Sequence, residues 1–204
     1  MSLAMSDRTR SHAAIDALRK APRRPGEASF FWFDTHFGRE AVKVLPGEHF
    51  VAGDDILVMT TLGSCIAACL WDRRAGVGGM NHFMLPDGAG ASGRYGAYAM
   101  ELLINEMMKR GAARGGLEAK VFGGGQVIAG MASVAVGERN TEFVLGYLRA
   151  EGIAVVGQDV LGDHARKVCF MPGSGKAMVK RIAGGTRDTD VAVERSAGGT
   201  VELF

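Results

Sequence analysis

Cys65 is the residue of this sequence best placed for chemistry, because it follows a run of small residues. The preceding segment, Thr60-Thr61-Leu62-Gly63-Ser64, is typical of a strand that ends in a tight turn. Small side chains there let a substrate carbonyl approach the sulfur, and they let the backbone N–H groups of Gly63 and Ser64 face a developing oxyanion. A cysteine in an apolar stretch is more often a small core residue. The turn alone therefore does not establish a nucleophile.

His82 strengthens this interpretation, because it lies 17 residues after Cys65 in a second apolar stretch. The stretches Cys65–Trp71 and Val77–Leu85 are separated by a polar break of hairpin length, which predicts two adjacent antiparallel strands. A hairpin centred at Arg73-Arg74 would place His82 directly opposite Cys65, within reach of side-chain contact. The sequence therefore predicts a nucleophile and a base at the open end of a hairpin.

A cysteine and a histidine in contact predict hydrolysis through a thioester. An unperturbed thiol has a pKa of about 8.5, and a neighbouring imidazolium lowers it, so that thiolate is available at neutral pH. Attack of the thiolate on a carboxamide releases ammonia, and water then cleaves the thioester to a carboxylate. His82 would take the thiol proton and later donate a proton to the leaving nitrogen. A third group, either a hydroxyl or a carbonyl, is expected to hold the imidazole ring, and Thr60 or Thr61 could supply it.

The other cysteines and the glycine cluster carry no separate chemistry in this interpretation. Cys69 and Cys169 are predicted to be core residues, and the odd cysteine count indicates a reducing compartment. A zinc site built from Cys65, Cys69 and His82 lacks a fourth ligand at a recognisable spacing, so no metal is predicted. The cluster Gly123-Gly124-Gly125 lacks the residues of a phosphate or dinucleotide loop and predicts a turn beside the active site.

The elements that must position these side chains are predicted to be mostly strands. Apolar positions at i, i+3 and i+4 predict two helices, over Arg94–Gly111 and Glu138–Glu151. Short apolar runs predict strands at Ala41–Leu45, Ile56–Thr61, Cys65–Trp71, Val77–Leu85, Glu118–Phe122, Ile153–Val160, Lys167–Met171 and Lys176–Ile182. This order does not alternate as in a doubly wound fold. It predicts an α+β protein with layered, mixed and largely antiparallel sheets flanked by helices.

The chain of 204 residues predicts one catalytic domain with dispensable ends. We expect a flexible basic tail at residues 1–28, a single domain at 29–182 and a C-terminal tail at 183–204. The four consecutive aromatic residues from Phe30 to Phe33 should dock, either as an edge strand or against a partner.

Charge and hydropathy exclude several classes of function. The formal net charge is +2, and the first 28 residues hold six basic and three acidic groups, so the domain itself is near neutrality. A nucleic-acid partner, which requires a basic stripe on the domain, is therefore not expected. No segment reaches 18 uninterrupted apolar residues, and no apolar stretch follows the basic N-terminus. We expect a cytoplasmic protein without membrane insertion.

The motifs Leu62-Gly63-Ser64-Cys65 and His82-Phe83-Met84-Leu85-Pro86, at this spacing, resemble the chemoreceptor glutamine deamidase family, CheD. The resemblance extends over about residues 40–182 and includes Arg94-Tyr95-Gly96, Ala99-Met100, Lys120-Val121-Phe122-Gly123-Gly124, Gly137-Glu138-Arg139-Asn140 and Arg166-Lys167-Val168. It implies conversion of glutamines on methyl-accepting chemotaxis receptors to glutamates, with Cys65 as nucleophile and His82 as base.

The same resemblance implies neither a metal nor an organic cofactor, and a CheC-like phosphatase as partner of some members. It implies a layered α/β sandwich distantly related to the cytotoxic necrotizing factor toxins. The family's third catalytic residue is a threonine upstream of the cysteine. Met59 falls at that position here, with Thr60 and Thr61 just after it, so the orienting residue stays open.

Two alternatives remain open at the level of sequence. The first is a different cysteine hydrolase, such as a receptor methylesterase or a small amidase, because the covalent chemistry is the same and only the leaving group differs. The second is a non-catalytic module that binds a receptor or a CheC-like phosphatase.

Overall fold

The computed structural model describes residues 15–54, 56–86, 94–127, 133–182 and 201–204. Its strands are β1 (Phe30–Asp34), β2 (Arg39–Lys43), β3 (His49–Ala52), β4 (Leu57–Leu62), β5 (Ile66–Asp72), β6 (Val77–Asn81), β7 (Leu117–Gly123), β8 (Ala154–Val160), β9 (Ala165–Met171), β10 (Lys176–Ile182) and β11 (Val201–Leu203). Its helices are α1, described over residues 15–20, α2 (Gly96–Lys109) and α3 (Ser133–Ala150), with a short 3₁₀ turn at Arg114–Gly116. None of the described helices is long and apolar enough to cross a membrane.

The strands form two sheets. The six-stranded sheet has the order β1-β2-β4-β9-β10-β11, and the five-stranded sheet has the order β3-β6-β5-β7-β8. Neighbouring strands are antiparallel except for the pairs β2–β4 and β7–β8. The prediction of an α+β fold with mixed, largely antiparallel sheets is confirmed. The aromatic segment forms the edge strand β1, where Phe31 is buried.

Alternating side chains divide the interior into two main cores. On β5, Ala67 and Cys69 face the six-stranded sheet and pack with residues such as Val58 and Leu62 of β4. Trp71 packs against the same cluster, whereas Ile66, Ala68 and Leu70 face α2 and α3. Because successive side chains of a strand point to opposite faces, every second residue of β4, β5 and β6 points into the inter-sheet core.

The hairpin of β5 and β6 forms as predicted, but its register differs from the predicted one. Asp72 pairs with Val77, so the four turn residues centre on Arg74-Ala75 rather than on Arg73-Arg74. The Asp72 carboxylate accepts hydrogen bonds from the N–H groups of Arg74 and Ala75, and Gly76 adopts a left-handed φ of 63°. This Asx turn, which glycine closes without strain, sets the register.

Parts of both terminal segments are packed, which differs from the loose tails expected there. Ile15 of α1 is only 4% exposed, because α1 presents Ile15 and Leu18 to the inter-sheet core, and Ala28 belongs to the same core and is fully buried. At the other end, β11 pairs with β10, and the ring of Phe204 lies 5.6 Å from that of Phe122. A three-residue strand offers too little periodicity for recognition from sequence.

A buried carboxylate connects the N-terminal segment to α2. Glu106 is 3% exposed at its side chain and accepts hydrogen bonds from the Arg24 guanidinium and from Lys109 Nζ, the latter at 2.7 Å. Burial of Glu106 opposes its ionisation, but the charges and hydrogen bonds of Lys109 and Arg24 outweigh burial and hold its pKa below the ordinary value.

We expect Glu106→Gln to destabilise the protein by about 1–2 kcal/mol at neutral pH, because the two cations lose their charged acceptor. A carboxylate with a lowered folded-state pKa contributes stability above its unfolded pKa of about 4.3 and loses it as the pH falls further. The difference in free energy of unfolding between wild type and variant should therefore shrink below about pH 4.5. Denaturant unfolding across pH tests this, with Glu101→Gln, exposed on the same helix, as control. A difference that grows on acidification would contradict the ion-pair account.

Candidate active site

Cys65 and His82 lie at the same end of the inter-sheet core. Cys65 immediately precedes β5, is partly exposed, and packs against the inter-sheet cluster. His82 immediately follows β6 and is 3% exposed. Met80 belongs to the inter-sheet cluster, and His82 continues the same alternation. The two side chains predicted to do chemistry therefore share one layer of the protein.

The imidazole of His82 contacts a hydroxyl of the opposite sheet. Thr60 Oγ1 lies 2.9 Å from His82 Nδ1, and the same hydroxyl donates its proton to the carbonyl oxygen of Val44 at 2.8 Å. A hydroxyl has one proton, so Thr60 must accept from the ring. It follows that the neutral imidazole carries its proton on Nδ1 and presents the lone pair of Nε2 as a base.

The main chain of His82 is also fixed. Its N–H donates to the carbonyl of Glu48 at 3.0 Å, and its carbonyl accepts from the N–H of Gly47 at 2.7 Å. The turn after β2 thus holds His82 through both backbone groups, while Val44 in the same turn holds Thr60. One loop positions the ring and its hydrogen-bond acceptor together.

The turn that carries Cys65 is held by the glycine cluster. The N–H of Gly124 donates to the carbonyl of Cys65, and the N–H of Gly125 donates to the carbonyl of Gly63, both at 2.8 Å. Gly123 has a φ of 113°, and a Cβ atom there would lie 2.1 Å from the Cys65 carbonyl oxygen. Position 123 therefore requires glycine. The position of the cluster beside Cys65 agrees with the predicted turn.

A buried amide on α3 reaches the same turn. Asn140 Nδ2 donates to the carbonyl of Ser64 at 3.0 Å and to the carbonyl of Met84 at 2.9 Å. In the sequence, Asn140 stands out only as the last residue of the motif Gly137-Glu138-Arg139-Asn140, which resembles the CheD family. The spacing of residues could not predict these contacts, because Asn140 lies 76 residues from Ser64 and 56 residues from Met84 in the sequence.

The predicted opposition of Cys65 and His82 is wrong in register. The ladder continues past β5 and β6 through Ile66 and Phe83, which bond to each other through both backbone groups at 3.0 Å. In this register Met84, not His82, lies across from Cys65, and His82 lies diagonally. The shift is two residues and therefore even, so that His82 keeps the face it was expected to occupy.

Comparisons with known proteins place the chain in a family. The family model "CheD chemotactic sensory transduction" matches residues 84–181. A protein of Albidiferax ferrireducens named "Probable chemoreceptor glutamine deamidase CheD 1" is 56% identical, with 93% of this chain and 86% of that protein covered. A "Probable chemoreceptor glutamine deamidase CheD" of Cupriavidus pinatubonensis is 53% identical, with 80% and 78% covered. The chain belongs to the CheD family.

The similarity to a solved structure is weak. The hypothetical protein YfiH of Bacillus licheniformis matches with a TM-score of 0.36 and 11% identity, over 56% of this chain and 51% of that one. A likeness this weak supports no argument about function.

Strand alternation separates the three neighbouring residues between which the CheD resemblance did not decide, Met59, Thr60 and Thr61. Thr60 is 2% exposed and faces the inter-sheet core, as do Val58 and Leu62 on the same strand. Met59 points the other way, into a cluster on the outer face of the six-stranded sheet, and Thr61 is exposed. Of these three residues, the structure brings Thr60 to His82.

The remaining cysteines lie away from this site. Burial raises the pKa of the Cys69 thiol far above its usual range, and it raises the pKa of Cys169 to about 11. Four strand residues span about 13 Å, so Cys69 is too distant from Cys65 to share a metal with it. Within the described residues, no group of three or more His, Cys, Asp or Glu side chains could hold a metal ion.

A buried ion pair supports the glycine cluster from the other side. Arg166, 1% exposed, donates to Asp159 Oδ1 at 2.9 Å and to the carbonyl of Leu161 at 2.5 Å. Burial of Asp159 opposes its ionisation, but hydrogen bonds from Arg166 and Arg181 outweigh it and lower its pKa. Leu161 in turn donates to the carbonyl of Gly123 and adopts a left-handed φ of 64°. The pair fixes a strained loop against the cluster.

A small cleft opens beside this loop. It has a volume of about 280 Å³ and is lined by Gly124, Gln126, Glu138, Leu161, Gly162 and Asp163. A larger groove of about 740 Å³ lies between the N-terminal segment and β3, and none of the candidate site residues lines it. Cys65, Thr60 and His82 do not line the smaller cleft either, but it borders Gly124, whose N–H donates to the Cys65 carbonyl.

We expect Thr60→Val to release the ring proton of His82 from Nδ1, because valine cannot accept a hydrogen bond. In protein labelled with ¹⁵N-histidine, wild-type His82 should show its protonated nitrogen at Nδ1, and the variant should show a mixture of tautomers. The variant should also lose about 1–3 kcal/mol of stability, because the Val44 carbonyl loses its donor. Thr61→Val, at the exposed neighbour, should change neither quantity. Wild-type His82 protonated at Nε2 would contradict the assignment.

Proposed function

We propose that this chain deamidates glutamine side chains of methyl-accepting chemotaxis receptors, with Cys65 as nucleophile, His82 as general base and Thr60 as the residue that orients His82. The observation that carries the proposal is the fixed tautomer. Thr60 accepts the Nδ1 proton of His82, which leaves Nε2 as a base at the end of the core that Cys65 shares. Membership of the CheD family, whose relatives are named chemoreceptor glutamine deamidases, supports the choice of substrate.

The first half of the reaction forms a thioester. His82 Nε2 takes the proton of the Cys65 thiol, and the thiolate attacks the carboxamide carbon of glutamine. The C=O electron pair moves onto oxygen, which gives a tetrahedral oxyanion. When this intermediate collapses, the C–N bond breaks and the imidazolium of His82 donates its proton to the departing nitrogen. Ammonia leaves, and the receptor side chain is bound to sulfur.

The second half regenerates the enzyme. Water attacks the thioester carbon while His82 Nε2 accepts a proton from it. Collapse breaks the C–S bond, the proton returns to sulfur, and glutamate leaves. Thr60 accepts the Nδ1 proton throughout, so it holds the ring in one orientation during each transfer. No step requires a metal or an organic cofactor.

Backbone N–H groups of the Cys65 turn are suited to bind the oxyanion. The carbonyls of Gly63 and Ser64 are held by Gly125 and Asn140. Every described peptide bond is trans, so the N–H groups of Ser64 and Cys65 point away from those partners. We propose that the N–H groups of Ser64 and Cys65, rather than those of Gly63 and Ser64 expected from the sequence, face the substrate oxygen. Gly63 and Ser64 are then the small residues that allow its approach.

The proposed setting is the cytoplasm, where reducing conditions keep Cys65 as a thiol. A CheC-like phosphatase remains a proposed partner, because the family resemblance implies one in some members. If it covers the Cys65 turn, its binding should compete with the receptor.

We expect wild-type protein to convert receptor glutamines to glutamates, detected by peptide mass spectrometry as replacement of an amide NH₂ by OH. Cys65→Ala should abolish the conversion, because no thioester can form. His82→Ala should lower the rate by about 10²–10⁴-fold, since proton transfer is lost. Cys169→Ala, which removes a buried thiol on the six-stranded sheet, should retain activity.

The same assay separates the alternatives. Release of methanol from a methylated receptor without any amide hydrolysis would make the protein a methylesterase. Receptor binding with no mass change in wild type would make it a binding module. Deamidation by Cys65→Ala protein would refute covalent catalysis.

A further inference from the structure

Asn140 is a fully buried polar side chain to which the proposed reaction assigns no chemical step. It lies on α3 with 0% exposure. An amide buried in this way costs stability unless its hydrogen bonds are satisfied. Both of its protons are used, one on Ser64 and one on Met84, whereas its Oδ1 has no hydrogen-bond partner among the described residues. Asn140 therefore contacts the surrounding main chain as a hydrogen-bond donor, through its NH₂ group.

The two acceptors belong to the two catalytic segments. Ser64 directly precedes Cys65, and Met84 follows His82 by two residues. The ladder of β5 and β6 makes its last described backbone rung between Ile66 and Phe83. Beyond that rung the carbonyls of Ser64 and Met84 both bond to Asn140 at 3.0 and 2.9 Å. Where the two strands separate, the side chain of Asn140 thus bridges them in place of a further pair of backbone hydrogen bonds.

Loss of this link would move the nucleophile rather than unfold the sheet. The Ser64 carbonyl and the Cys65 N–H belong to one planar peptide, so a bond to the carbonyl fixes the direction of the N–H. Gly124 and Gly125 hold the turn from the side of β7. Asn140 holds it from α3 and ties it to the segment that carries His82.

We propose that Asn140 is a positioning residue, which sets the place of Cys65 relative to His82 and the direction of the Cys65 N–H. This inference rests on the proposed function. Misplacement of reacting groups by about 1 Å can reduce a rate by about 10²-fold. The effect should fall on kcat and not on KM, because Asn140 is buried and cannot touch the receptor.

Asn140→Ala tests the proposal through two readouts. We expect kcat for deamidation to fall by about 10²-fold with KM within threefold. The rate of alkylation of Cys65 by iodoacetamide at pH 7, located by peptide mass spectrometry, should fall by about 10-fold, since the thiol is no longer held beside its base. The alkylation needs no receptor, so it reports on Cys65 directly.

Asn81→Ala is the matched control. Asn81 is also fully buried, donates from Nδ2 to the Ala99 carbonyl at 3.1 Å and accepts from Ala68 N–H at 3.0 Å, so it links α2 to β5. Its loss should lower the melting temperature to a similar extent but leave Cys65 alkylation within threefold. Equal effects of both variants on alkylation would show that Asn140 acts only through stability and would overturn the proposal.

Asn140→Asp provides a signature that a merely structural role would not give. An ionised aspartate faces two carbonyls with no proton to donate, whereas the neutral acid regains one donor. Burial favours the neutral acid. The alkylation rate of this variant relative to wild type should therefore rise as the pH falls from 8 to 6. A flat ratio, or a ratio that falls, would contradict the proposal. If Asn140→Ala does not fold, this variant and Asn140→Ser carry the test.

Failure of this inference and failure of the proposed function have different outcomes. If wild-type Cys65 is alkylated rapidly and Asn140→Ala keeps alkylation and kcat within twofold, the positioning role is refuted while the deamidase stands. If wild-type protein deamidates no receptor, or Cys65→Ala still does, the proposed function is refuted first.

Discussion

A buried imidazole needs a partner for its ring proton, and here that partner comes from the opposite sheet. The hydroxyl of Thr60 on β4 accepts from His82 after β6, and it can do so only because Val44 takes its own proton. This chain of two hydrogen bonds spans the inter-sheet core at one end. It requires the two sheets to be stacked so that β4 and β6 end at the same level. The direction of the proton on His82, and hence any role as a base, depends on that stacking.

The rest of the site controls the main chain around Cys65. Backbone carbonyls on the turn are held by the glycine cluster and by Asn140, and the cluster is supported by the buried pair of Arg166 and Asp159. Each of these contacts comes from an element distant in sequence. Elements that are distant in the sequence therefore meet at a single turn. Cys65, the proposed nucleophile, is a partly exposed residue of that turn.

Part of this arrangement could be predicted from the sequence. Alternation and turn residues revealed β5 and β6, and helical periodicity revealed α2 with its ends within two residues of Gly96–Lys109. Two elements were predicted less well. The strand β3, which has only four residues after a Pro-Gly turn, was missed, and α3 begins at Ser133, five residues before the predicted start. The predicted hairpin register was wrong because the length of the polar break does not reveal the hydrogen bonds of the Asp72 side chain that select the turn. Thr60 and Thr61 could not be separated, because both suit a strand and only the sheet packing decides which one faces inward. The contacts of Asn140 could not be predicted, since its hydrogen-bond partners are distant from it in the sequence.

The proposed mechanism requires a covalent bond between Cys65 and the receptor side chain, which competition between water and hydroxylamine would reveal. A thioester is open to either nucleophile, so receptor glutamines treated with the wild-type protein should yield hydroxamate at the expense of glutamate as hydroxylamine is increased. The hydroxamate peptide is one oxygen heavier than the glutamine peptide and is identified by mass spectrometry. Formation of glutamate at an undiminished rate, with no hydroxamate at any hydroxylamine concentration, would mean that water attacks the amide directly and would contradict the account.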